Sequence, residues 1–141
     1  MPLTKEYVMK MIGHLIKYEG PEMMEFMHDD IEIRFINDEV KSTVASGVFR
    51  GKVEYMQAQA PFATLFVKPA DFTLDTLIVS GNTAVVELKG VAIGKKTNIE
   101  YPQYLCWVYE FNDNEEKPQI VKARGYLDSA LMSRYYEENK D

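Results

Sequence analysis

The stretch from Tyr101 to Asp128, YPQYLCWVYEFNDNEEKPQIVKARGYLD, constrains the fold more than any other part of the chain. Two long β-forming runs are joined there by one polar, charged turn. Leu105, Trp107, Tyr109 and Phe111 alternate with Tyr104, Cys106, Val108 and Glu110, the period of two that a pleated strand requires. Both faces of this hairpin carry large side chains, so both need cover. In a small domain helices can cover one face and a partner subunit the other, which puts the hairpin in the middle of a curved sheet.

At 141 residues the chain has the size of one domain, residues 1–141, with one sizeable core. Its formal charge of −6 repels polyanions, and no basic stripe with interleaved aromatics overcomes that repulsion, so nucleic acid is not an expected partner. The single cysteine, Cys106, has no partner for an intrachain disulfide and lacks electropositive neighbours, which reads as an inert thiol. No apolar run approaches the roughly 20 residues of a membrane span. The charged start, MPLTKEYVMK, lacks the apolar core of a signal peptide. The expectation is a cytoplasmic protein with no membrane partner.

Thr4 can cap a first helix that runs to about Tyr18 and stops at Gly20-Pro21. Its apolar positions form two adjoining stripes, Val8, Met11, Ile12 and Leu15, then Tyr7, Met11, His14 and Tyr18. Pro21 suits the first turn of a second helix through Met27, and Ile31 to Ile36 alternates as a strand. Residues 37–50 are polar and mixed. The spacing of Tyr55, Met56, Gln59, Phe62, Ala63 and Phe66 predicts a third helix over 52–66, kinked or split near Gln59 by Pro61. Four strands follow, 71–80, 83–93, 97–112 and 119–128, with Gly81-Asn82 and Gly94-Lys95-Lys96 at turns. A helical turn or two from Ser129 to Glu138 closes the chain. The order is α-α-β-α-β-β-β-β.

That order resembles the nuclear transport factor 2-like cone fold. Within it the pattern looks most like the SnoaL-like polyketide cyclases and their ketosteroid isomerase and limonene epoxide hydrolase relatives, including small fungal polyketide and meroterpenoid isomerases and cyclases. The resemblance is carried by MEFMHDDIEIRF (24–35), FRGK (49–52), WVYEF (107–111) and ARGYLDSA (123–130), in order and over nearly the whole chain. It implies an α+β cone, a strongly curved and mostly antiparallel sheet with helices on its concave face. It also implies a cofactor-independent isomerase or cyclase acting on a hydrophobic polyketide- or terpenoid-like molecule of secondary metabolism. The alternative is a non-enzymatic ligand-binding or scaffold protein of the same fold.

Residue by residue, the resemblance does not bring the acids along. The tyrosine and two aspartates of ketosteroid isomerases align with Met11, Phe35 and Trp107, none able to perform the acid or base step. The acids of limonene epoxide hydrolases fall at Gly125 and near Val86, and a one-residue slip would turn Glu87 inward instead. Without the slip the cup is lined by Ile31, Ile33, Phe35, Val86, Leu88, Gly90, Leu105, Trp107, Tyr109, Ala123, Gly125 and Leu127. The small residues among them read either as room for a flat ligand or as seats for core side chains.

His14 is the titratable side chain whose helical position turns it toward this cup, and Tyr109 is its candidate catalytic partner. The competing reading makes His14 a satisfied core residue. Tyr7, Met11, Tyr18, Phe35, Leu88, Leu105, Trp107 and Leu127 are the expected substrate contacts. Asp128 reads as the cap of the last helix, with a catalytic role as the alternative. His28, Asp29 and Asp30 point in different directions at a helix end, so no metal is expected. Glu32, Arg34, Glu87, Lys89, Lys122 and Arg124 fall on the outer sheet face among Tyr104, Val108 and Tyr126, the surface expected to form a homodimer.

Overall fold

The computed structural model describes residues 3–141. Helices α1 (Lys5–Ile16) and α2 (Gly20–Met24) lead into strands β1 (Met27–Phe35) and β2 (Gly47–Arg50), then helix α3 (Lys52–Gln59). A meander of β3 (Asp71–Ser80), β4 (Thr83–Ile93), β5 (Glu100–Phe111) and β6 (Ile120–Leu127) precedes helix α4 (Ser129–Asn139). The six strands lie in the order β2-β1-β6-β5-β4-β3, with β1 parallel to β6 and every other pairing antiparallel. This is the α+β curved sheet that the element order implied.

Local chemistry explains most of the boundaries. The Thr4 hydroxyl accepts from the Tyr7 N–H at 3.1 Å and starts α1. Pro61 has no N–H, and α3 stops at Gln59 before a short 3₁₀ turn over Ala60–Phe62. The Asp128 carboxylate accepts from the Leu131 N–H at 3.1 Å, so its capping role is realised. Several elements differ from the sequence reading. The second helix stops at Met24 and not at Met27, and His28, Asp29 and Asp30 lie in the first half of β1 and not at a helix end. Helix α1 ends at Ile16 because Tyr18 takes a positive φ of 59°, which no helix interior accepts. Residues 47–50 add an edge strand, held by Gly47 at φ 145° and by pairing with β1. Helix α4 is three turns long rather than one or two.

Strand register settles which side chains turn inward. Val86 pairs with Trp107 and Leu88 with Leu105, all on the concave side, while Glu87 pairs with Cys106 and is exposed. The slipped register is therefore not adopted. Register shifts within the β1–β6, β3–β4 and β5–β6 pairs bend the sheet into a cup. Val8, Met11 and Ile12 of α1 are fully buried in the hydrophobic core to which Phe26, Phe111 and Ile120 also belong. Along the outer face Tyr104 and Tyr126 are 59% and 39% exposed among charged neighbours. No helix among the described residues is long and apolar enough to cross a membrane.

Candidate active site

The concave face of the sheet, together with α2, α3 and α4, encloses a cavity of about 610 Å³. Its far wall is aromatic. Phe35 stacks on Trp107 with centroids 5.7 Å apart, Trp107 stacks on Tyr109 at 5.6 Å, and Tyr55 meets both Phe35 and Trp107 edge-on at 6.1 Å. Glycine makes that wall possible. A Cβ at Gly125 would lie 2.7 Å from the Trp107 ring and 2.9 Å from Phe35, and one at Gly90 would lie 2.6 Å from Phe72. The small residues of the strands thus seat aromatic side chains, and those side chains in turn bound the cavity.

Of the residues singled out in the sequence, Tyr18, Phe35, Leu88, Leu105, Trp107, Tyr109 and Leu127 line the cavity together. His14, Tyr7 and Met11 lie outside its lining. Helix α1 points Val8, Met11 and Ile12 into the closed core and only Leu15 toward the cavity. His14 sits at the edge of that arc, where its Nδ1 meets Glu19 Oε1 at 2.9 Å and its ring lies 6.0 Å from Phe26. The Tyr7 hydroxyl donates to the Pro118 carbonyl at 2.5 Å, and Met11 is wholly buried. Tyr18, at the rim, donates to the Ala70 carbonyl at 2.6 Å, and burial together with Asp71 pushes its phenol up to about 12.

The polar side of the cavity comes from residues that periodicity brought together but that were not read as a site. Lys52, Tyr55, Met56 and Gln59 border the cavity along α3 at the i, i+3, i+4, i+7 spacing, Met56 at its exposed rim. A helical stripe mixing an amine, a phenol and an amide was the legible signal. Gln103 on β5 adds a buried amide that exchanges two 3.1 Å hydrogen bonds with the Asp128 backbone, fixing the start of α4. The Tyr55 and Tyr109 hydroxyls have no hydrogen-bond partner among the described residues, and burial raises both phenols far above their ordinary range. Both therefore remain protonated donors at neutral pH.

No protein-family model matches the sequence, and no curated protein matches it. Solved structures do. An NTF2-like protein of unknown function from Burkholderia pseudomallei superposes with a TM-score of 0.73 at 16% identity, over 93% of this chain and 95% of its own. The chain has the NTF2-like fold. Two further structures share this fold. TerC, crystallised with polyporic acid, superposes with a TM-score of 0.74 at 12% identity over 94% of this chain and 96% of its own. A candidate isomerase from Bacillus subtilis gives 0.69 at 16% identity, over 94% and 91%. Within the NTF2-like cup of this chain the ionisable side chains are tyrosines and the two lysines Lys52 and Lys68, with no Asp, Glu, His or Cys in the lining. Both lysines have acidic neighbours, Asp29 at 3.3 Å and Asp71 at 3.7 Å. Among the described residues no His, Cys, Asp or Glu group of three or more is arranged to hold a metal. Cys106 lies on the opposite face, where burial and Glu87 push its thiol up, away from the thiolate.

Proposed function

We propose that this protein binds a neutral, hydrophobic, planar small molecule in the cup and acts on it as a cofactor-independent isomerase or cyclase. The observation that carries this reading is the pair of phenols, Tyr55 and Tyr109, set beside a stacked aromatic wall in a cavity whose lining holds no carboxylate or imidazole. Such a site donates hydrogen bonds but takes no proton. The chemistry it favours is a rearrangement or ring closure in which a substrate oxygen gains negative charge while the carbon skeleton reorganises. Donors fixed in a dry, apolar site stabilise that charge without reorganising at the moment of reaction. His14 has no place in this scheme, since Glu19 engages its ring outside the lining.

Apolar area supplies the affinity for a polyketide- or terpenoid-like substrate, and its burial contributes about 25 cal/mol per Å². The neighbours that share the fold support a small-molecule role, one crystallised with polyporic acid and another a candidate isomerase. A second reading, binding without turnover, is favoured by the same lack of any proton acceptor in the lining. Turnover assays on a panel of polycyclic polyketide and terpenoid ketones separate the two. Tyr109→Phe is expected to lower kcat by about 10²- to 10³-fold with little change in Kd. Full turnover in the Tyr55→Phe/Tyr109→Phe double variant would defeat the donation mechanism, and tight binding with no turnover of any compound would establish the carrier.

A further inference from the structure

A second cavity of about 290 Å³ adjoins the cup, a groove between residues 41–44 and α4 that opens to the surface at Val44 and Glu137. Hydrogen bonds fix its walls. The Thr43 N–H donates to Ser46 Oγ at 2.9 Å, and Ser133 Oγ of α4 donates to the Ser42 carbonyl at 3.1 Å. Phe62 is the one described residue that lines both spaces. Helix α4 turns Met132 and Tyr135 to the cup and Ser133, Tyr136 and Glu137 to the groove, and the Phe62 ring sits at the seam between the two stripes. Its centroid lies 6.4 Å from Tyr135, edge-on, and 5.3 Å from Tyr136. The ring is buried, and its backbone is set by the 3₁₀ turn over Ala60–Phe62 and by the fully buried Leu65 that follows. Exposed lining residues, Tyr18, Met56, Lys68 and Pro69 among them, mark the mouth of the cup, and none of these four reaches the groove.

We propose that Phe62 is a specificity-determining residue of the cup: its ring closes the cup against the groove and restricts the site to planar molecules that project from it only through the mouth. The restriction is steric. A packed aromatic ring does not yield cheaply, because extra atoms forced into a close-packed region drive side chains off their rotamers. Deleting the ring does the reverse. Packed surroundings relax only partly around a truncated side chain and leave a cavity, which at this seam joins the cup to the groove. The assignment rests on the reading of the cup as a small-molecule site, and it adds which shapes that site rejects.

Anthraquinone and its derivatives with a diethylene glycol ether arm at one end, or at both ends, supply the test. A single arm can lie in the mouth, whereas two arms at opposite ends cannot both leave by it. Trp107 is the chain's one tryptophan and lines the cup, so its quenching reports binding, with equilibrium dialysis as an independent measure. The wild-type protein is expected to bind the two-armed compound about tenfold or more weakly than the one-armed compound. In Phe62→Ala that ratio should shrink by about tenfold, and in the milder Phe62→Leu it should move the same way but less far. Thermal melts establish that each variant is folded. Equal binding of the one- and two-armed compounds by the wild-type protein overturns the role of Phe62, and that measurement needs no variant. A folded Phe62→Ala that still rejects the two-armed compound overturns it as well. Either result leaves the small-molecule site standing. Binding of none of the three compounds overturns the site and this assignment with it.

Discussion

Two regions of this protein treat their inward-facing polar groups in opposite ways. At the corner where α4 meets the β4–β5 turn, Asn139 is fully buried and fully satisfied. Its Oδ1 accepts from the Lys96 and Thr97 N–H groups at 2.9 and 3.2 Å, and its Nδ2 donates to the Tyr101 hydroxyl at 3.1 Å and the Tyr135 carbonyl at 3.0 Å. The Tyr101 hydroxyl in turn donates to Glu138 Oε1 at 2.7 Å. In the cup, by contrast, the Tyr55 and Tyr109 hydroxyls have no hydrogen-bond partner among the described residues. The corner completes its hydrogen bonds within the chain, which is the mark of a structural device. The cup leaves donors facing inward, which is the mark of a site completed by something else.

This contrast can be broken by mutation. Asn139→Ala strips the corner of four partners at once and is expected to cost about 3 kcal/mol, read as a drop in the urea midpoint. Because α4 carries Met132 and Tyr135 into the cavity lining, the same change should also loosen the cup. A stability loss below about 1 kcal/mol would show that the corner is not the structural anchor argued here.

Alkaline titration sharpens the comparison from the other side. Folding raises the Tyr55 and Tyr109 phenols above their ordinary value of 10.0. Below pH 10 both folded and unfolded chains keep these protons, so the contribution to stability is complete. Above it the unfolded chain ionises first, and stability falls by about 1.4 kcal/mol per pH unit for each such phenol, until the folded values are passed. Urea midpoints measured from pH 9 to 11 should decline accordingly, and the Tyr55→Phe/Tyr109→Phe double variant should decline less steeply. Equal slopes would mean that these two phenols ionise as freely in the folded protein as in the unfolded one.

The smallest effect is the most telling. At neutral pH Tyr109→Phe and Tyr55→Phe remove hydroxyls that no described residue satisfies, so each should leave stability within about 1 kcal/mol of the wild type, neutral or improved. A large loss would place these hydroxyls with Asn139 among the structural groups. Their conservation of stability, set beside the collapse at Asn139, would separate the anchor from the site.

Much of the architecture was legible because it rests on short-range rules. Alternation in 101–111 and 120–127 announced β5, β6 and their concave residues, Thr4 and Asp128 announced caps, and Pro61 announced the end of α3. The aromatic wall followed from the same parity, since Phe35, Trp107 and Tyr109 must share a face once the register is set. His14 shows the limit of that reasoning. Its stripe on α1 and the neighbouring one were both apolar, and only the packing of Val8, Met11 and Ile12 decided which of them faced inward.

By itself, then, the sequence determined the periodicities, the caps, the breaks and the face each strand residue takes, because these depend on neighbours a few positions away. Tertiary structure alone decided that Glu19 would engage His14, that Gly125 and Gly90 would seat rings and not a ligand, and that the Tyr55 and Tyr109 hydroxyls would meet in a cavity without partners among the described residues. Whether a polar group is satisfied depends on atoms brought near by folding, from strands and helices far apart in the chain. No local pattern encodes that proximity.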